Sequence, residues 1–268
     1  MESHFKYPNL QSRILLGALA RKQPIEPVKI PRSTERFLQW YEKRVLKMDI
    51  RDTRIDRPVF LIGMPRSGTT MLQDIMCAHP QVTYITNTMN VYPTCFCAVE
   101  TIRRKMKLDF EGDRYIGDSV SVTAGSPSDA IAFWGKWFKG DPYSLEYKAL
   151  TKEDFSDADR QNMYDTIKKV IWFSPEPKKR IFNKLLSPLP HIRLVNEFFP
   201  DAKFVYIIRD GRMTANSMLK LYHREIERQT RMHGRKPEKV FVPYPRFPKL
   251  AEYARQYGVD NIRTTAHL

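Results

Sequence analysis

The sequence predicts an α/β protein of three layers, with a central parallel sheet covered by helices on both faces. Two observations point there. Short apolar runs of strand length, Arg57-Pro-Val-Phe-Leu-Ile-Gly63, Arg180-Ile-Phe-Asn-Lys184 and Lys203-Phe-Val-Tyr-Ile-Ile-Arg209, are separated by stretches with helical spacing of apolar residues. Strands alternating with helices call for parallel pairing joined by crossover connections. The chain also has 268 residues, 42% of them hydrophobic and 12% aromatic, enough to bury one large core.

The elements follow in order. Asn9 to Lys22 carries Leu10, Ile14, Leu15 and Ala18 at helical spacing, and Pro24, Pro27 and Pro31 form a linker after it. A second helix is expected over Ser33–Lys47, with Phe37, Trp40, Tyr41, Arg44 and Val45 along one side. Residues 1–54 are read as a helical extension and 55–268 as the main domain. After the first strand, Thr69–Ala78 is expected to be a helix with Met71, Leu72, Ile75 and Met76 on one side, stopped by His79-Pro80. Residues Gln81 to Asp118 read as irregular, apart from a short strand at Val82–Ile85. Ser126-Pro-Ser-Asp129 has the form of a helix start, with Ser as N-cap, proline at N1 and an acid at N3. That helix is expected to run through Phe133, Trp134 and Trp137. Thr151–Asp154 repeats the pattern ahead of a helix near Asp157–Phe173. Further helices are expected over Pro190–Phe199 and from Met213 to about Arg228.

Composition narrows the function classes. No apolar run approaches the roughly 18–20 residues of a membrane span, and the longest, Ile14 to Ala20, is too short. The start of the chain, with Glu2, His4 and Lys6, shows no cleavage site, so no secretory signal is expected. Cys77, Cys95 and Cys97 do not make a disulfide framework, which favours a reducing, cytoplasmic setting. Cys95-Phe-Cys97 lacks a second Cys or His pair, so no metal is expected. The net charge of +15 lies in the flanks: residues 1–54 carry 12 Lys/Arg against 6 Asp/Glu, and residues 212–268 carry 12 against 5. That surplus suits an anionic ligand or partner, or a solvated basic surface.

Gly63-Met-Pro-Arg-Ser-Gly-Thr-Thr70 stands between a predicted strand and a predicted helix. Its glycines are five apart, as in a Walker A loop, whose backbone N–H groups and helix start face a phosphate-like anion. Walker A places Lys after the second glycine; here that residue is Thr69, and the cation is Arg66 inside the loop.

Pro65-Arg66-Ser67-Gly68-Thr69-Thr70 resembles the 5′-phosphosulfate-binding loop of sulfotransferases that use 3′-phosphoadenosine-5′-phosphosulfate (PAPS), which follows the first strand and reads Pro-(Lys/Arg)-Ser-Gly-Thr-Thr. The trailing Ala78-His79-Pro80 is similar to the bacterial and tyrosylprotein-type branches. The resemblance implies a P-loop nucleotide-kinase-like fold, PAPS as co-substrate and no metal. Arg209-Asp-Gly-Arg-Met-Thr-Ala-Asn-Ser217 resembles the family's 3′-phosphate site, an Arg and a Ser separated by seven residues. Arg209 would clamp the phosphate and Ser217 would add a hydroxyl. The residues alone also allow Arg209 to pair with Asp210, leaving Ser217 on a solvated helix. Lys184, at a strand end, matches the family's Lys that approaches the bridging oxygen of the sulfate, a task shared with Arg66.

Three departures stand against the family pattern. Cytosolic members place a His two residues after that Lys, and here it is Leu186. Tyrosylprotein-type members have a Glu base 21 residues after the loop Arg, and here it is Asn87. Members continue with an acidic Tyr-Glu-Asp-type segment, whereas this sequence ends at Thr264-Thr-Ala-His-Leu268, which fits a shortened or divergent form. Asp129 is the candidate base, since Ser126-Pro-Ser-Asp129 resembles a Pro-x-Glu motif of some bacterial members; it reads equally as a helix cap, and His191 is the next candidate. The expected reaction moves a sulfuryl group to a hydroxyl or amine of a carbohydrate or small metabolite, with no nucleic acid involved. A kinase or NTPase-like nucleotide-binding protein, and a non-catalytic anion binder, are the alternatives.

Overall fold

The computed structural model describes residues 5–22, 28–113, 120–138, 144–174, 180–185, 188–235 and 245–266. Helices α1 (Leu10–Lys22) and α2 (Arg32–Arg44) precede strand β1 (Val59–Ile62). Helix α3 (Thr69–Cys77) leads to β2 (Val82–Thr83), α4 (Asn87–Val91) and α5 (Phe96–Lys105). A small antiparallel hairpin, β3 (Glu111–Asp113) and β4 (Ser121–Thr123), comes before α6 (Ile131–Gly135). Then follow α7 (Asp157–Trp172), β5 (Arg180–Lys184), α8 (Ile192–Phe198) and β6 (Lys203–Tyr206). The long α9 (Gly211–His233), α10 (Leu250–Tyr257) and α11 (Ile262–Ala266) close the chain.

The main sheet has four parallel strands in the order β2-β5-β1-β6. β1 lies in the middle, with Leu61 level with Lys184 on one side and Ile62 level with Tyr206 on the other. Successive β1 side chains point to opposite faces, and both faces are covered. Phe60 meets Trp134 of α6, Phe199 and the apolar sides of α7 and α8, whereas Leu61 joins Phe182 and Cys77 against Leu72 and Met76 of α3. This is the expected three-layer α/β architecture, and the three strands that carry the motifs are neighbours.

Local signals explain several helix starts. Ser156 and Asp159 form a reciprocal capping box at α7, and Asp210 accepts the Met213 N–H at 3.0 Å to start α9. Thr151 and Asp154 form a second box, around one 3-10 turn. Among the described residues, no helix is long and apolar enough to cross a membrane.

Two expectations fail. The stretch read as irregular contains α4 and α5. Ser126 starts no helix: its hydroxyl accepts the Thr123 N–H at 2.9 Å within a turn, and α6 begins only after Ala130, which has φ 52°. The residues expected along one side of α2 do share it, and that side looks outward. Phe37, Trp40 and Val45 are exposed, while Glu42 is buried, pairs with Lys169 at 2.6 Å and accepts the Ala98 N–H at 3.2 Å.

Candidate active site

The turn after β1 is tight. Both the amide and the hydroxyl of Ser67 donate to the Met64 carbonyl, at 3.1 and 2.6 Å. Arg66 has φ 71° and Gly68 has φ 98°, so the loop passes twice through the left-handed region before α3 begins. Gly63 sits where a Cβ would lie 2.5 Å from Ile207 Cγ2, so the loop needs glycine to press against the end of β6. Ser67 and Thr69 are buried by this packing, and Arg66 and Thr70 are half-buried.

The second motif meets the first. Arg209 donates from Nη1 to the Arg66 carbonyl at 2.8 Å, and the Arg66 Nε donates to Ser217 Oγ at 3.2 Å. Asp210 caps α9 and pairs with Arg212 at 3.2 Å, so the contact of Arg209 runs to the loop across the neighbouring strand end. The N–H of Met213 and the nearby Arg212 hold the Asp210 carboxyl below its usual range.

The third motif completes the row. Lys184, at the end of β5, has a side chain only 3% exposed. A buried ammonium needs partners, and Lys184 has two: an ion pair with Asp129 and a hydrogen bond from Nζ to Thr70 Oγ1 at 3.2 Å. Asp129, 30% exposed, is held there by its neighbours. The Ser128 N–H donates to Ile85, and Gln73 Nε2 donates to the Ser128 carbonyl at 2.9 Å. Asn183 is buried beside Lys184 and accepts the Trp134 Nε1–H at 2.6 Å.

Arg66, Ser67, Gly68, Thr69, Thr70, Lys184, Asp129, Arg209 and Ser217 are thus linked at the carboxyl ends of three adjacent strands. The other candidates serve elsewhere. Asn87 Nδ2 donates to the Thr123 carbonyl at 2.8 Å and ties α4 to the hairpin. His79 Nδ1 accepts the Gln81 N–H at 3.2 Å, a helix-stop contact. His191 stacks on Phe138 and Tyr147, and burial pushes its pKa down. Leu186 lies outside the described residues. Reading the sequence missed Gln73 and the Trp134–Asn183 pair, which support the site from beneath; Asn183 beside the motif Lys was the one available signal.

Residues 58–240, more than half of the chain, match the family described as "Sulfotransferase family". This chain belongs to the sulfotransferase family. Over 163 residues, 60% of this chain, it is 29% identical to the protein-tyrosine sulfotransferase of Drosophila melanogaster. Over 161 residues it is 25% identical to human protein-tyrosine sulfotransferase 1. The matched stretch spans 25% and 33% of those two curated relatives. The solved structure of sulfotransferase STF9 from Mycobacterium avium superposes with a TM-score of 0.42 at 15% identity, covering 97% of this chain and 82% of its own. The matched family region contains every sulfotransferase motif residue named above: the 63–70 loop, Asp129, Lys184, Arg209 and Ser217.

Proposed function

We propose that this chain transfers a sulfuryl group from PAPS to a hydroxyl or amine of a small-molecule or carbohydrate acceptor. The observation that carries the proposal is the continuous chain of contacts Asp129–Lys184–Thr70 and Arg66–Ser217, with Arg209 on the Arg66 carbonyl, across neighbouring strand ends. Open parallel sheets take their ligands there.

The donor set fits PAPS, which is anionic at both ends. Three cationic side chains, two threonines, Ser217 and the N-terminus of α3 converge, and a Cβ on Gly63 would disturb the loop that groups them. Arg66 and the backbone of residues 67–70 would hold the 5′-phosphosulfate, and Arg209 with Ser217 the 3′-phosphate. When bound, PAPS supplies an activated sulfuryl group whose bridging oxygen departs with negative charge. Lys184, fixed between Thr70 and Asp129, would neutralise that oxygen, with Arg66 sharing the task. Asp129 would take the acceptor's proton on its exposed side.

Isothermal titration of 3′,5′-adenosine bisphosphate against ATP with magnesium tests the reading. Binding of the bisphosphate alone is expected; binding of ATP alone would replace it with the kinase or NTPase alternative. Mass spectrometry of alcohol, phenol, amine and sugar acceptors incubated with PAPS then identifies the class of acceptor by a sulfated product.

A further inference from the structure

Helix α2 buries its acids beside the half-buried Leu38 and turns an aromatic ridge to water. Its two acids face inward: Glu42 is buried in its pair with Lys169, and Glu35 is half-buried. Everything basic between residues 32 and 47 faces water: Arg32, Arg36, Lys43, Arg44 and Lys47 are all exposed, with no exposed acid among them. Set into that basic face are Phe37, 57% exposed, Trp40, 52% exposed, and Val45, 49% exposed. Phe37 and Trp40 stack on one another, with centroids 5.7 Å apart and planes 24° apart, and form a ridge. At about 100° per residue, Arg36 and Lys43 lie on one side of this ridge and Arg44 within it.

We infer that this face docks on an anionic lipid surface. Two large aromatic side chains and a valine left in water cost free energy that a soluble surface avoids. A helix with bases around an aromatic and aliphatic ridge lowers that cost by lying in the headgroup region, rings inward and cations at phosphate level. Charge complementarity favours the bilayer over other occupants. A carbohydrate site offers amides and carboxylates to sugar hydroxyls, whereas here the only exposed neutral polar side chains on α2 are Ser33 and Thr34. A second copy would bring five like charges against five. The same N-terminal extension also exposes Leu10, Ile14 and Leu15 beside Arg13 on α1.

Flotation of the full chain with vesicles tests this. Binding is expected to phosphatidylcholine vesicles containing about one third phosphatidylserine and not to phosphatidylcholine alone, and it should weaken as salt rises. R36A/R44A is expected to lower the partition coefficient about thirtyfold, the loss predicted for two surface-bound bases. F37S/W40S should lower it at least about tenfold, since each ring carries a large apolar area. All four side chains are exposed, so both variants should melt like the parent. Unchanged vesicle binding in either variant overturns the inference, as does failure of the parent to float with anionic vesicles. Retention on heparin that the variants lose, without vesicle binding, would assign the face to an acidic polysaccharide instead. A dimer in sedimentation velocity that F37S/W40S dissolves, again without vesicle binding, would assign it to a second copy.

Discussion

Replacing Asp129 by asparagine leaves the Lys184 ammonium where it is and removes its charge partner. The two ends of this pair are not equivalent. Lys184 is 3% exposed and, among the described residues, keeps the Thr70 hydroxyl, whereas Asp129 is 30% exposed and can be rehydrated if the lysine is lost. Breaking a fully buried pair costs about 3–5 kcal/mol; the partial opening at Asp129 lowers that to about 2–3 kcal/mol for Asp129→Asn. Lys184→Met instead removes the buried charge and should cost about 1 kcal/mol or less, since a methionine fills the same channel. The double variant should then be more stable than Asp129→Asn alone, the non-additivity of a direct pair. Urea denaturation of the parent, both single variants and the double variant measures this, and the melting midpoint of Asp129→Asn should fall by roughly 4–10 °C. Equal stability of Asp129→Asn and parent, or a larger loss in Lys184→Met, would refute the pair as the support of the buried lysine. The same variants separate support from chemistry. Lys184→Met should lower turnover by about two to three orders of magnitude, as for loss of one donor to a developing oxyanion, while changing affinity for the desulfated nucleotide much less. Asp129→Asn should lower the rate per folded molecule about 10²–10⁴-fold if the carboxylate takes the acceptor's proton. If only stability falls, Asp129 is the counter-ion of Lys184 and not the base.

Three further outcomes follow from the same geometry. Arg66→Ala and Arg209→Ala should each weaken adenosine bisphosphate binding by about 1.5–3 kcal/mol in calorimetry, and unchanged affinity in both would reject the nucleotide site. Gly63→Ala places a Cβ 2.5 Å from Ile207 Cγ2 and 3.0 Å from the Ile207 carbonyl; it should cost about 1–3 kcal/mol of stability and weaken the bisphosphate too, and a variant indistinguishable from the parent would show that the loop moves freely. His191 is kept neutral by burial, with its pKa below the unfolded value of about 6.5. Above that pH the residue contributes no slope; as pH falls below it the unfolded chain binds the proton first, so stability declines until the folded pKa is passed. His191→Gln should flatten that decline in a series of melts, and an unchanged profile would point to other groups.

What the sequence disclosed follows from the distance over which each feature is decided. β1, β5 and β6 were legible because each is a short apolar run closed by glycine or a charged residue, and the 63–70 loop because its residues are contiguous. α4 was not, since Asn87-Thr-Met-Asn-Val91 has no helical period and its cap, Thr86, is set by a hydroxyl that also donates to Glu100 at 2.6 Å. Ser126 looked like a cap because the local pattern Ser-Pro-x-Asp is one, yet Thr123 takes its hydroxyl and a strand-like contact between Thr86 and Pro127 holds the segment straight. That diversion has a consequence for the site. Asp129, released from any helix cap, is carried to Lys184, which lies 55 residues away in sequence. The α2 helix obeys the same rule in reverse. Periodicity identified the residues that share its aromatic side, but which side turns inward was decided by Lys169, 127 residues further on, which draws Glu42 into the interior. A buried ion pair can override a hydrophobic stripe because leaving either charge unpaired inside costs more than exposing two rings at the surface. In both places, the Asp129 segment and α2, a charge pair between residues far apart in sequence fixes where the local chain sits, which no local pattern discloses.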